Sequence, residues 1–196
     1  MKERIAVINR KTGETDIELS INLDGKGISN ISTGIGFFDH MLTLFSRHGQ
    51  FDIDIKEAGD LEVDCHHTIE DIGIVLGLAI KEALGDKHSI RRYGTAYLPM
   101  DESLAFVTLD VSNRAYLVFE ADFSARQVGD MDSEIVEEFF RAVSVNAGIT
   151  LHAKILYGTN AHHMMEALFK AFARAMKEAA SLDESIQGVL STKGVL

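Results

Sequence analysis

Eight histidines stand in this 196-residue chain, and four of them form two adjacent pairs. Residues 64–71 read DCHHTIED and residues 160–167 read NAHHMMEA, both of the form (Asp/Asn)-x-His-His-x-x-Glu. Each motif runs into apolar residues at helical spacing: Ile72, Val75, Leu76, Ala79, Ile80 and Ala83 after the first, and Leu168, Phe169, Phe172, Ala173 and Met176 after the second. Asp64 and Asn160 stand where an N-cap belongs, so each His-His pair is expected in the first turn of a helix. On a helix, residues i and i+4 share a face, which pairs His66 with Glu70 and His162 with Glu166. Adjacent residues diverge by about 100°. His67 and His163 therefore point away from those pairs, and each motif offers two ligands to one ion and one histidine to another. Imidazole with carboxylate and no thiolate suits Mn, Fe or Zn better than copper. Cys65, between ligand-bearing positions, reads as a small buried filler.

The elements that would hold these motifs repeat as well. FFDHMLTLFSRHG is an apolar-periodic helix stopping near Gly49, and FDIDIKEAGDLEVD after it reads as two strands or one long bent strand. In the second half SEIVEEFFRAVSVNAG is a helix with Ser133 as its N-cap, followed by the strand ITLHAKILYG. RIAVINR and TDIELSINLD precede the first helix; GTAYLPMDESLAFVTLD and RAYLVFEADF precede the second. The pattern predicts an α+β fold built by internal duplication. Each of two similar half-domains, 1–88 and 89–196, carries a mostly antiparallel sheet with two helices on one face.

Composition narrows the chemistry. A net charge of −11 opposes a nucleic-acid partner, which would need clustered Lys and Arg, but leaves room for a small anionic substrate. No apolar run reaches membrane-spanning length; the longest candidate, Ile72 to Leu84, contains Lys81 and Glu82. The opening MKERIAVINR lacks the apolar core of a signal peptide, and one cysteine gives no internal disulfide framework, which points to the cytoplasm.

The whole chain resembles the imidazoleglycerol-phosphate dehydratase family. The stretches that carry the resemblance are KTGET (11–15), LDGKG (23–27), TGIGFFDHML (33–42), DCHHTIEDIGI (64–74), RYG (92–94), PMDESL (99–104), SNRAY (112–116), HHMMEALFKAFARA (162–175) and STKGVL (191–196). The resemblance implies removal of water from imidazoleglycerol phosphate to give imidazole acetol phosphate, a step of histidine biosynthesis. It implies two Mn2+ ions held between subunits of a homo-oligomer, a 24-mer in this family. One ion would take His40, His67, His162 and Glu166; the other His66, Glu70, His163 and a ligand from the second-half helix. There this sequence departs from the family, with Glu138 in place of the usual histidine, giving a two-His, two-Glu site or one completed by water. SNRAY lacks the glycine common before Arg114, and Leu44 replaces a frequent Gln.

Because the carbon that loses its proton has no neighbouring carbonyl, the imidazole must serve as electron sink, a role two Lewis-acidic ions can support. The resemblance places Glu14 as the acid/base, and Arg92, Arg114, Lys170, Ser191, Lys193, His48 and Asp101 at the phosphate and substrate. A dimetal hydrolase would share the ligands without needing Glu14 or the Ser-x-Lys-Gly tail. A metal-stapled assembly protein would need neither those nor Arg92, Arg114 and Lys193.

Overall fold

The computed structural model describes residues 3–196. In the first half, β1 (Ile5–Lys11), β2 (Thr15–Asn22), β3 (Ser29–Ser32) and β4 (Asp52–Gly59) form a sheet in the order β1-β2-β4-β3, accompanied by α1 (Gly36–Gly49) and α2 (His66–Leu84). The second half repeats this with β5 (Tyr93–Met100), β6 (Ser103–Asp110) and β7 (Tyr116–Glu120). A hairpin of β8 (Gln127–Val128) and β9 (Met131–Asp132) is inserted before α3 (Ile135–Ala147), β10 (Thr150–Tyr157) and α4 (Ala161–Ala180). The second sheet runs β5-β6-β10-β7. Each sheet has one parallel pair, β3–β4 or β7–β10, and is otherwise antiparallel. The fold is the duplicated α+β arrangement the repeat predicts.

Period-two alternation sets the inner faces. Ile17, Leu19 and Ile21 on β2 are buried, as are Ala105, Val107 and Leu109 on β6, while their strand neighbours face outward. The helices cover these faces and also join the halves, α1 packing on α4 and α2 on α3. Phenylalanines from three helices form the seam. Phe38 meets Phe139 edge to face at 5.3 Å, Phe139 stacks on Phe169, and Phe45 stacks on Phe172 at 5.1 Å. Where α2 crosses α3, Gly77 lets the backbones touch: a Cβ there would stand 2.9 Å from the Val143 carbonyl oxygen. The sole proline, Pro99, sits on the edge strand β5, where its missing N–H costs no ladder bond.

Several local expectations are corrected. The segment 51–64 is a single strand, β4, followed by a turn, because Val63 N–H closes back on the Asp60 carbonyl at 2.8 Å. The strand β3 and the β8–β9 hairpin are too short to have shown a period. The N-cap of α3 is Glu134 rather than Ser133. Asn160 caps α4 as expected, its side chain accepting from the His162 and His163 N–H groups. At α2 the cap position is Cys65, yet the Asp64 carboxylate still accepts the His66 N–H at 2.7 Å, so the aspartate caps from one residue upstream.

Candidate active site

At the start of α4 the His162 Nε2 lies 3.2 Å from Glu166 Oε1, as helical spacing requires. The packing of α1 on α4 brings His40 Nε2 to 2.7 Å from the same oxygen. The ligand atoms of His40, His162 and Glu166 all lie within 4.8 Å of one another. The second carboxylate oxygen of Glu166 accepts a hydrogen bond from Lys170 at 2.5 Å, so the two oxygens have separate tasks. Burial works to raise the Glu166 carboxyl, but hydrogen bonds from Lys170 and His40 and the Lys170 charge outweigh it, and the group is held down to about 2. Two imidazoles and an ionised carboxylate converging on one point are a donor set that fits a divalent ion of the Mn type.

His66 and Glu70 form the matching pair at the start of α2, 3.7 Å apart. The internal repeat assigns Glu138 the place of His40. Registering α1 and α3 on their left-handed C-caps, Gln50 and Gly148, superposes the two residues. The Glu138 carboxylate is instead turned along its own helix to Arg141, at 3.5 Å, and is not gathered with His66 and Glu70.

His67 and His163 point away from these pairs, as adjacency on a helix demands. His67 Nδ1 lies 3.0 Å from Asp60, and its Nε2 lies 3.7 Å from Glu14. His163 Nδ1 lies 2.7 Å from Glu102, and its Nε2 lies 3.7 Å from Asp101. The Asp60 hydrogen bond, and with it the Glu14 charge, pushes the His67 imidazole up; Glu102 does the same for His163. Glu102 itself is held well below the usual carboxylate range by His163 and by the Asn160 and Thr159 N–H groups. Neither Asp60 nor Glu102 follows from the motif alone. Glu102 had a signal, however, since registering the hairpins on Asn22 and Asp110 superposes it on Glu14.

Glu14 ends the β1–β2 turn and is half exposed. Its turn is fixed by the Thr12 hydroxyl, which accepts from the Glu14 and Thr15 N–H groups, and by the Glu14 carbonyl, which accepts from Asp60 N–H. Thr15 in turn donates to the buried carboxylate of Asp71 on α2, which also pairs with Arg10. A backbone anchored at three points presents an exposed carboxylate beside His67.

The remaining candidates divide in two. His48 and Lys170 stay near Glu166; burial, with the Lys170 and Arg174 charges, lowers the His48 imidazole. Arg92, Arg114, Ser191 and Lys193 line a separate, open cavity of about 950 Å3 walled on one side by the C-terminal tail. Arg92 is largely committed there: it forms a two-pronged pair with Asp110 and donates to the Leu190 carbonyl, ordering the tail. Its left-handed φ of 72° is held by those bonds and by its N–H on the Ala179 carbonyl. Arg114 is exposed, with a looser contact to Asp110 at 3.5 Å. Because Arg92 meets Ala179, this cavity lies at the far end of α4 from Glu166, about 20 Å away at 1.5 Å rise per residue.

The model of the imidazoleglycerol-phosphate dehydratase family matches residues 33–176. Dehydratases of that name from Acetivibrio thermocellus and Clostridium novyi are each 65% identical to this chain. They cover 96% and 95% of it, over 97% and 95% of their own lengths. The crystal structure of the dehydratase from Staphylococcus aureus superposes with a TM-score of 0.84 at 46% identity, covering 91% of this chain and 99% of that one. The enzyme from Pyrococcus furiosus, solved in complex with (S)-C348, gives 0.84 at 38% identity, covering 96% and 100%. The fold and these relatives define a carbon–oxygen lyase of the water-eliminating class. The chain belongs to the imidazoleglycerol-phosphate dehydratase family. No helix of the described residues is long and apolar enough to cross a membrane.

Proposed function

We propose that this chain converts imidazoleglycerol phosphate to imidazole acetol phosphate and water, the histidine-biosynthetic reaction of its relatives. It would do so at a dimetal centre completed between copies of itself. The observation that carries the reading is the placement of two complementary clusters at opposite ends of α4. Metal-type donors stand at its start, and a cation-lined cavity at its end. A phosphate joined to an imidazole by three carbons cannot reach from one to the other, so a substrate holding both must lie between chains. Exposed Ile5 and Val7 on β1 and Tyr93 and Tyr97 on β5 leave apolar surface on the outer sheet faces for such an assembly to cover. The 24-mer implied by the family is one closed arrangement of this kind.

His40, His162 and Glu166 would hold one ion with His67 of a second copy. His66, Glu70 and Glu138 would hold the other with His163 of a second copy; for Glu138 this requires release from Arg141. The ions supply Lewis acidity to the substrate imidazole, and Mn2+ suits the donors. Glu14 gives a proton to the hydroxyl that leaves the carbon bearing the ring and takes the proton from the next carbon, so that water leaves and the enol formed between the two carbons relaxes to the ketone. Lys170 holds the second oxygen of Glu166, leaving the first for the ion. Arg114, Lys193 and Ser191 bind the phosphate, with Arg92 supporting the tail that carries two of them. His48 and Asp101, next to Lys170 and His163 respectively, complete the substrate pocket.

The test is to strip the protein of metal, add imidazoleglycerol phosphate, and follow imidazole acetol phosphate on titration with Mn2+. Metal-dependent formation of the acetol product is expected. Phosphate release without that product would favour a hydrolase, and metal binding without turnover a stapled assembly; either outcome overturns the proposal.

A further inference from the structure

The two outward-turned histidines are held alike by residues that are not alike in the repeat. His67 Nδ1 meets Asp60, which follows the end of β4, at 3.0 Å. His163 Nδ1 meets Glu102, in the tight β5–β6 turn, at 2.7 Å. Registering the sheets on Asn22 and Asp110, and allowing for the bulge between Ile155 and Tyr157, places Glu102 over Glu14 and Asp60 over Thr159. Each half thus supplies the same contact from a different strand end. The duplication alone would not have produced that match. Glu102 also divides its two oxygens. Its Oε1 accepts from Asn160 N–H at 2.8 Å, Thr159 N–H at 3.1 Å, and the Thr159 and Ser103 hydroxyls at 3.3 and 2.9 Å. Its Oε2 is left for His163.

We infer that Asp60 and Glu102 are positioning residues that fix His67 and His163 as the tautomer with the proton on Nδ1 and a free lone pair on Nε2. An ionised carboxylate can only accept, so the ring nitrogen facing it carries the proton, and a neutral imidazole then offers its other nitrogen. Both histidines therefore present Nε2 to the ion. The inference rests on the proposed metal-ligand roles and adds which atom coordinates and what selects it.

The chemistry gives a sharp variant. In Glu102→Gln the amide oxygen still serves the Asn160 and Thr159 N–H groups, and the amide NH2 then faces His163. That ring nitrogen must now accept, which moves the proton to Nε2 and blocks it. The experiment titrates the metal-depleted full-length protein with Mn2+ alone, reading free ion by electron paramagnetic resonance. It uses wild type, Glu102→Gln, His163→Ala and the double variant, with the metal-free melting temperature of each. A loss of about 10–100-fold in Mn2+ affinity is expected for Glu102→Gln. Every variant should keep a cooperative melting transition, and the double variant should bind no more weakly than His163→Ala. Wild-type affinity in Glu102→Gln overturns the inference, and so does an equal further loss in the His163→Ala background. If His163→Ala binds Mn2+ as tightly as wild type, the ligand role itself has failed, and that result is distinct from a failure of Glu102 alone.

Discussion

Glu14 and Glu102 occupy the same place in two copies of one hairpin, yet face different tasks. Glu102 is saturated by Asn160, Thr159 and His163, whereas Glu14 has only a 3.7 Å approach to His67. A carboxylate whose oxygens are not taken up by neighbouring donors is the one left to meet a substrate. Glu14→Gln is expected to retain Mn2+ while turnover falls by about 10²–10⁴-fold; a variant that turns over normally would remove Glu14 from the mechanism. A second prediction concerns Asp60. It holds the folded-state imidazole of His67 above its ordinary 6.5. The resulting stabilisation of metal-free protein is fully present below 6.5 and fades as pH rises through the raised value. The melting-temperature advantage of wild type over Asp60→Asn should therefore shrink with rising pH, and an advantage that grows would contradict the pairing. At this scale the sequence was informative where spacing on one helix decides the contact, as in His162 with Glu166. Asp60 was invisible because its approach to His67 depends on where β4 ends and the next turn folds back.

Among the elements, the helices were legible from their apolar period and their caps, and the long strands from alternation. What the period could not reveal is which helix packs on which. The pairing of α1 with α4, rather than with its sequence neighbour α2, is what delivers His40 to Glu166. Small residues enforce the other crossing: a Cβ on Gly77 would meet Asn146 Cβ at 2.8 Å, Val143 O at 2.9 Å and Ala147 N at 3.0 Å. Two of those atoms are backbone and cannot swing aside, so Gly77→Ala should cost about 1–3 kcal/mol. The cost appears as a lowered denaturation midpoint in metal-free protein. An unchanged midpoint would mean that α2 and α3 can separate without penalty and that the crossing does not fix the distance between their starts.

For the molecule as a whole, duplication was readable because both halves keep the His-His-x-x-Glu motif and the same strand and helix order. The completed site was not readable from spacing, since His40, His162 and Glu166 lie at one end of α4 and Arg114, Ser191 and Lys193 at the other. The proposed assembly assigns these clusters of one chain to different active sites. It is tested most directly by co-expressing His162→Ala and Arg114→Ala chains under two different affinity tags and purifying hybrids through both. Each variant alone should be nearly inactive. Random mixing leaves about a quarter of the intersubunit sites with both clusters intact, so the hybrids should regain roughly that share of wild-type turnover. Hybrids no more active than either parent would show that one chain supplies both clusters to the same site.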